Sequence, residues 1–176
     1  MTTMEPVPLI DVIAEAPQWE TTPGAEATAR RALTEAAIAT GVNFKDRTLA
    51  LLLTDDAAIR RLNAQWRGID KPTNVLSFPP APSAGELAPV KSLGDIAIAY
   101  ETTARQAAEE DKPFDHHLAH LAVHGFLHLL GYDHDSESAA TTMEQLERDI
   151  LARLGVPDPY LTHEPAVPHA LQEARS

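Results

Sequence analysis

The sequence contains no cysteine, and this absence excludes several kinds of site at once. Disulfide frameworks, thiolate nucleophiles, iron–sulfur clusters and cysteine-ligated zinc all require that residue. Aromatic residues make up only 5% of the chain, so stacking on a long run of nucleotide bases is not expected. Any metal site must therefore be built from histidine and carboxylate side chains.

Positive charge is also scarce, with 14 Lys and Arg against 26 Asp and Glu and a net charge of -12 at pH 7. This balance argues against non-specific binding to polyanions such as DNA or an anionic membrane surface. The deficit is uneven, because residues 45–112 carry nine basic and ten acidic residues and the flanks carry five and sixteen. The middle of the chain can therefore form a local basic surface, although ordinary solvated surface is the alternative interpretation. Its basic residues include Arg60, Arg61, Arg67, Lys71 and Lys91.

Long apolar runs are absent as well. The longest, such as Leu49 to Leu53, are too short to cross a bilayer, and no basic residue precedes Arg30 as a signal peptide requires. A chain of 176 residues fits one domain. We expect a soluble, cytoplasmic protein with a single domain over residues 1–157 and a proline-rich, loosely ordered tail over residues 158–176.

Apolar periodicity and turn residues predict four strands and five helices. Pro72 and Pro79 flank one of the strands and place it at a sheet edge, because proline is poorly tolerated in a central strand. The segment 79–93 is predicted to be a loop. The predicted strands are Val7–Ile13, Arg47–Thr54, Thr73–Phe78 and Gly94–Ala99; the predicted helices are Ala25–Thr40, a helix from Thr54 or Asp55 through Trp66, Glu101–Glu110, His116–Leu130 with Asp115 as N-cap, and Glu137–Leu154.

Histidine is concentrated in the fourth predicted helix, which carries five of the eight. His124 and His128 are one turn apart on the same face, so their Cβ atoms lie about 5–6 Å apart and both rings can reach one ion. His134 would point about 240° away from His128 if the helix continued. Gly131 can end the helix in the left-handed conformation and reverse the chain. We therefore expect His124, His128 and His134 to converge on a metal ion.

Three imidazole ligands leave one tetrahedral position open, which is typical of catalytic rather than structural zinc. Water in that position has its pKa lowered towards about 7, which supplies a hydroxide nucleophile. Zinc suits this ligand set, with nickel, copper and cobalt as alternatives. The remaining histidines are interpreted as helix surface or hydrogen-bond donors around the site (His116, His117, His120) and as tail residues (His163, His169).

The same spacing also matches the metzincin protease pattern HExxHxxGxxH. That mechanism requires a glutamate directly after the first histidine as general base, and this chain has Gly125 there. Asp133 or Asp135 are possible substitutes. A carboxylate beside His134 can equally orient a ligand ring or cap the next helix, and capping is the preferred interpretation for Asp135.

The segment HGFLHLLGYDH closely resembles the signature of the YbeY family, and LNAQWRGIDKPTNVLSFP, LGDIAIA and LGVPDPY resemble further blocks of that family in the same order. The resemblance covers most of residues 60–160. It implies an α+β fold, with a small mixed sheet of about four strands packed with five or so helices and a metal site at the C-terminal end of a central helix. It also implies a zinc-dependent, single-strand-specific endoribonuclease acting in ribosomal RNA maturation, including 16S rRNA 3′-end processing and ribosome quality control.

By that resemblance, one zinc ion per chain is held by His124, His128 and His134, and the family's functional arginine is Arg67. Arg67 and His124 are then the expected catalytic residues, and Arg67 with Lys71 the expected substrate-binding residues. A helix-terminal arginine that only satisfies backbone carbonyls is the alternative for Arg67. The expected partners are single-stranded ribosomal RNA and the small ribosomal subunit with its assembly factors, without DNA or membrane.

The chain departs from the family pattern at three positions. Trp66, Ile69 and Asn74 stand where the family usually has Tyr, Lys and often Asp. Loss of that lysine predicts weaker RNA binding or a larger contribution of Lys71 to RNA binding. Two other functions stay open: a metalloprotease or small-molecule amidohydrolase, and a non-enzymatic ribosome assembly factor in which the metal is structural.

Overall fold

The computed structural model describes residues 9–41, 47–80 and 91–160. None of the helices within these ranges is long and apolar enough to cross a membrane. The elements, in chain order, are strand β1 (Leu9–Ala14), a short 3₁₀ helix (Pro17–Thr21), helix α1 (Ala25–Thr40), strand β2 (Arg47–Thr54), helix α2 (Asp56–Arg67), strands β3 (Val75–Phe78) and β4 (Lys91–Ala99), and helices α3 (Tyr100–Glu109), α4 (Phe114–Leu129) and α5 (Glu137–Arg153).

The α+β fold with four strands and five α-helices is confirmed, and most boundaries differ from the predicted ones by one to three residues. Strand β4 begins at Lys91 instead of Gly94, because Lys91 and Ser92 pair with Arg47 and Thr48 of β2. Of the expected loop 79–93, residues 81–90 lie outside the described ranges, as do residues 7–8 of the first predicted strand. The 3₁₀ helix was not predicted; its buried Trp19 donates an indole hydrogen bond of 2.8 Å to the Thr54 carbonyl oxygen.

Two predicted helix starts also have different outcomes. Asp55 caps α2 as predicted, accepting a 2.8 Å hydrogen bond from the Ala58 amide. Asp115 does not cap α4, because the helix begins at Phe114, two residues before the predicted start, with Pro113 as its N-cap. Asp115 instead lies in the first turn, where a negative charge is favourable at the helix N-terminus.

The strands form one mixed sheet in the order β1-β2-β4-β3. Strands β1, β2 and β4 are parallel, and β3 is antiparallel to β4. The proline-flanked strand β3 therefore lies at an edge, as predicted. Its pairing with β4 places Ser77 opposite Ile96 and Phe78 opposite Asp95.

Alternation along the central strands gives the sheet two buried faces. Leu51 and Ile96, which are paired in register, point with their alternate neighbours towards the helices of the main core. Leu52 and Ala97 point the other way and pack with Ile59 of α2. Helices α1 and α4 thus cover one face, and α2 covers the other.

Helix α4 is the central helix of the larger layer. It contacts α1, α3, α5, β3 and β4. Buried residues occur on nearly all of its sides, including Leu118, Leu121, Phe126 and Leu127, as expected for a helix surrounded by other elements. Its histidines are therefore held by a helix whose orientation is fixed by packing on most of its sides.

Candidate metal centre at the end of the central helix

A glycine turn ends α4 and brings the third histidine back. Gly131 has a φ of +99°, the left-handed conformation predicted for it. Its amide donates to the His128 carbonyl oxygen at 3.0 Å, and the Tyr132 amide donates to the Leu127 carbonyl oxygen at 3.1 Å. These two bonds form a Schellman motif, in which the chain reverses while the last helix carbonyls stay hydrogen-bonded.

The reversal places His134 beside the two helical histidines. The ring centroids of His124 and His128 are 4.6 Å apart, and that of His134 lies 5.4 Å from His124 and 5.8 Å from His128. One nitrogen from each ring lies within 4.8 Å of the others. His124 and His128 are partly buried and His134 is exposed. The three rings therefore converge and have access to solvent.

Burial determines the protonation state of His128, one of the three clustered histidines. Burial, followed by the neighbouring His124 and His134 side chains, lowers the pKa of His128 to about 4. The ring is therefore neutral at physiological pH, and a neutral imidazole offers the lone pair that a metal ion requires.

His124 also bonds to a carboxylate on another helix. Its Nδ1 lies 3.0 Å from Oε1 of Glu147, a side chain on α5 with no solvent exposure. The second oxygen of Glu147 lies 2.5 Å from Nε2 of His120 and accepts a 2.7 Å hydrogen bond from the Tyr160 hydroxyl. This group of four residues, His120, His124, Glu147 and Tyr160, is called the Glu147 network below.

The other helical histidines lie away from the metal centre. His117 is buried with its Nε2 2.9 Å from Oε1 of Gln106. His116 is half-buried near the start of α4. His163 and His169 lie outside the described ranges.

The aspartates beside His134 have local structural contacts. Oδ1 of Asp133 accepts a 3.0 Å hydrogen bond from the Asp135 amide. The N-cap of α5 is Ser136, whose hydroxyl oxygen accepts from the Ala139 amide at 3.0 Å, so the capping interpretation for Asp135 is wrong. Asp135 lies one position too early, because an N-cap side chain must reach the amide of the third helical residue.

The predicted substrate-binding residues lie at the end of α2. Arg67 is its last residue, and its guanidinium donates a 3.3 Å hydrogen bond to Oδ1 of the buried Asn63. The same asparagine donates to the carbonyl oxygen of Lys71 at 2.9 Å. Arg67 and Lys71 are both exposed, and neither forms an ion pair with another described residue. Asn63 therefore hydrogen-bonds to both Arg67 and Lys71, and the charged ends of these two side chains face solvent.

The basic surface is smaller than its sequence suggests. Arg60 forms an exposed ion pair with Asp70 at 2.8 Å, so its positive charge is offset by a neighbouring negative charge. The side chain of Lys91 lies outside the described part of the structure. Arg61, Arg67 and Lys71 are exposed and form no ion pair with another described residue.

A line of contacts joins this end of α2 to the histidines around the sheet edge. Trp66, next to Arg67, packs its ring 5.7 Å from that of Phe78 in β3. The adjacent Ser77 donates a hydrogen bond to the carbonyl oxygen of Gly125, which follows His124. Strand β3 therefore connects the C-terminal end of α2, which carries Arg67, to the part of α4 that carries His124.

Sequence reasoning missed Glu147 and Tyr160. A signal for Glu147 is present, because it lies on the apolar stripe of α5 with Met143, Ile150 and Leu151. A carboxylate in such a stripe is either paired or functional. Tyr160 is the last residue of the segment LGVPDPY, but that segment does not indicate its contact with Glu147, which depends on tertiary structure.

The donor set fits one class of metal ion. Three imidazole nitrogens suit zinc, copper, cobalt or nickel, whereas magnesium and calcium prefer oxygen ligands. No carboxylate of the described residues joins the group. Three histidines that could ligate one ion, on a rigid helix and its C-terminal turn, form a candidate metal centre of the kind found in metal-dependent hydrolases.

Comparisons with known proteins identify the family within this class. The model of the family described as Endoribonuclease YbeY matches residues 14–155. The Endoribonuclease YbeY of Rhodopseudomonas palustris (strain BisA53) is 57% identical over 162 residues, which cover 90% of this chain and 94% of the relative. That of Bradyrhizobium sp. (strain BTAi1) is 56% identical over 162 residues, covering 90% and 96%. The chain therefore belongs to the YbeY family of endoribonucleases, hydrolases that act on RNA phosphodiester bonds.

Among solved structures, the chain is similar to the solution structure of TM1509 from Thermotoga maritima. The TM-score is 0.48 at 22% identity, with 91% of this chain and 100% of that chain covered.

Proposed function

We propose that this protein is a zinc-dependent endoribonuclease that cleaves single-stranded RNA during ribosomal RNA maturation, with processing of the 16S rRNA 3′ end and ribosome quality control as its cellular roles. A cytoplasmic location and contact with the small ribosomal subunit and its assembly factors belong to this proposal. The observation that carries it is the approach of His124, His128 and His134, with one nitrogen from each ring within 4.8 Å of the others. Membership in the family supports RNA as the substrate.

Each histidine has a defined part in holding the ion. His124 and His128 present their rings from consecutive turns of a buried helix, and His134 approaches from the reversed chain. When bound, zinc supplies a Lewis acid that lowers the pKa of coordinated water and offsets charge on the phosphate. His128 is neutral at physiological pH and is therefore ready to coordinate without losing a proton.

Arg67 and Lys71 supply positive charge for the RNA backbone. A guanidinium cannot be deprotonated in this pH range and presents several donors in one plane, which suits a phosphate whose charge increases in the transition state. Arg67 is assigned this catalytic role, and Lys71 is assigned to substrate binding. Their exposure, and the single buried Asn63 that holds both segments, support this assignment.

RNA cleavage with controlled metal content tests the proposal. The protein is freed of metal with a chelator and incubated with a single-stranded 16S rRNA 3′-end fragment, before and after zinc is restored. We expect cleavage only with the metal, and none by His128→Ala. His116→Ala is the matched control, because it removes a histidine of the same helix that lies outside the cluster, and it should cleave normally. Cleavage that persists in the chelated protein and in His128→Ala would overturn the proposal.

Strand specificity is tested with the same fragment annealed to its complement. The single strand should be cleaved and the duplex should resist. Equal cleavage of both would leave the nuclease assignment standing and remove the single-strand specificity.

A further inference from the structure

The carboxylate of Glu147 is buried between α4 and α5. Its side chain has no solvent exposure and lies on the face of α5 that also carries Met143 and Ile150. An ionised carboxylate in such surroundings is unfavourable unless several hydrogen bonds compensate for the lost water. The structure provides three such bonds.

The three donor groups contact the two oxygens of the Glu147 carboxylate. Oε1 pairs with Nδ1 of His124, and Oε2 pairs with Nε2 of His120 and with the hydroxyl of Tyr160. A carboxylate whose two oxygens face three donor groups and no acceptor is placed as an ionised group, because a protonated oxygen would leave one of these contacts unmade. In that form it can only accept hydrogen bonds.

An acceptor-only carboxylate determines the tautomer of His124. Nδ1 must carry the hydrogen that is donated to Oε1, so a neutral ring has its lone pair on Nε2. The 3.0 Å bond also limits rotation of the ring about its side-chain torsions. The ring therefore presents one defined nitrogen to the cluster that it forms with His128 and His134.

Tyr160 connects this arrangement to the end of the described chain. Burial, followed by the charge of Glu147 and the hydrogen bond to it, raises the pKa of Tyr160, so the hydroxyl remains a donor. Its ring lies 5.2 Å from the guanidinium carbon of Arg148, which also pairs with Asp158 at 3.1 Å. The segment 158–160, where the tail is expected to begin, is thus held against α5.

We propose that Glu147 is a positioning residue of the metal centre, which fixes the tautomer and orientation of His124, and that Tyr160 supports it by holding the second carboxylate oxygen. This inference rests on the metal binding assumed in the proposed function. Partners of this kind typically change metal affinity about 10- to 100-fold when removed.

Cobalt affinity tests the proposal without relying on nuclease activity. Co²⁺ is titrated by visible absorption, in competition with a chelator, into the wild type and four variants: Glu147→Gln, Glu147→Asp, Tyr160→Phe and Glu144→Gln. We expect Glu147→Gln to bind about 10- to 100-fold more weakly, Glu147→Asp to recover part of the loss, and Tyr160→Phe to show a smaller loss. Glu144→Gln is the matched control, because it makes the same change on the same helix at a partly exposed side chain outside the network, and it should bind like the wild type.

The tautomer of His124 gives an independent measurement. Long-range ¹H–¹⁵N spectra of the metal-free protein should show the hydrogen on Nδ1 in the wild type and in Glu144→Gln, and a mixture of tautomers in Glu147→Gln. A purely structural role for Glu147 would not change this signature in a folded variant. If Glu147→Gln does not fold, Tyr160→Phe decides, because it keeps the ring and removes only the hydroxyl.

The outcomes separate this inference from the proposed function. Wild-type affinity and an unchanged His124 tautomer in folded Glu147→Gln would overturn the positioning role while leaving the metal centre intact. Wild-type affinity in Tyr160→Phe would overturn the supporting role of Tyr160 and, if Glu147→Gln does not fold, the inference itself. A wild-type protein that binds no Co²⁺ and no Zn²⁺ would overturn the proposed function and this inference with it.

Discussion

The hydroxyl of Ser77 donates a 2.8 Å hydrogen bond to the carbonyl oxygen of Gly125, the residue that follows His124. This bond joins the edge strand β3 to the central helix at the candidate metal centre. A Cβ atom on Gly125 would lie 3.0 Å from Cγ2 of Ile96 and 3.2 Å from both Ser77 Oγ and Val75 Cγ2. Glycine thus allows the helix to lie close to the sheet, and the position that carries a glutamate in metzincin proteases has no room for one.

Substitution of Gly125 by glutamate should therefore destabilise the fold. The longer side chain must displace packed atoms and bury a charge, so we expect Gly125→Glu to lower the free energy of unfolding by more than about 3 kcal/mol. Urea denaturation followed by circular dichroism measures this. His116→Glu is the control, because it adds a carboxylate to the first turn of the same helix, and it should stay within about 1 kcal/mol of the wild type. A Gly125→Glu protein with the wild-type midpoint would contradict the close contact.

Gly94 should be even less tolerant of a side chain. Its φ is +126°, and a Cβ atom would lie 2.4 Å from the Phe78 carbonyl oxygen and 2.8 Å from Cδ2 of Leu129. We expect Gly94→Ala to cost about 3 kcal/mol or more, since backbone atoms of β3 must move. Gly41→Ala is the matched control, with a φ of +63° and no atom within 4 Å of the added carbon. It should cost only about 1–2 kcal/mol from backbone strain, and equal losses for the two variants would contradict the role of contact at Gly94.

The histidine arrangement was predictable because its rules are local. The spacing of His124 and His128 determines a shared helix face, and a glycine at position 131 permits the reversal that the third ligand requires. The edge position of β3 follows from its flanking prolines in the same way. Each of these inferences uses residues within ten positions of each other in the sequence.

The Glu147 network was not predictable on those grounds. His124 and Glu147 are 23 positions apart and belong to different helices, so their contact depends on how α4 and α5 pack. The position of Arg67 relative to the histidines also depends on tertiary packing, because α2 and α4 cover opposite faces of the sheet. Sequence periodicity identifies the buried face of each helix, but it does not identify the partner residue on the facing element.

Metal binding should stabilise the fold, because the ligands join the end of α4 to the chain beyond Gly131. At a free zinc concentration of 100 times the dissociation constant, the gain is about 2.7 kcal/mol. For a chain of this size, that corresponds to a rise in Tm of roughly 5–10 °C. Differential scanning calorimetry of chelated and zinc-loaded protein measures it. His134→Ala should lose most of the rise and His116→Ala should keep it; a full rise in His134→Ala would exclude His134 as a ligand.

Loss of the Arg67 guanidinium should reduce turnover without affecting the metal or the fold. Removing one donor to a developing negative charge typically costs about 10²- to 10³-fold in kcat, and an exposed side chain contributes little to stability. Single-turnover cleavage of a short RNA by Arg67→Ala measures the effect, with zinc content and Tm as checks. Arg61→Ala, an exposed arginine of the same helix, should retain nearly all of the activity. If both variants lose activity equally, the arginines act only as general positive charge.

Trp66 should bind a base of the RNA. Its side chain is 65% exposed although it is large and apolar, and one side of the ring lies against Phe78. Stacking of one base on such a ring contributes about 1–3 kcal/mol, so Trp66→Ala should weaken binding of single-stranded RNA roughly 5- to 150-fold, while Trp66→Tyr should keep most of it. The chain has two tryptophans and Trp19 is buried, so quenching of the exposed indole fluorescence by RNA reports this site directly. The titration is made in the His128→Ala background to prevent cleavage, and unchanged fluorescence at saturating RNA would show that the ring lies outside the binding surface.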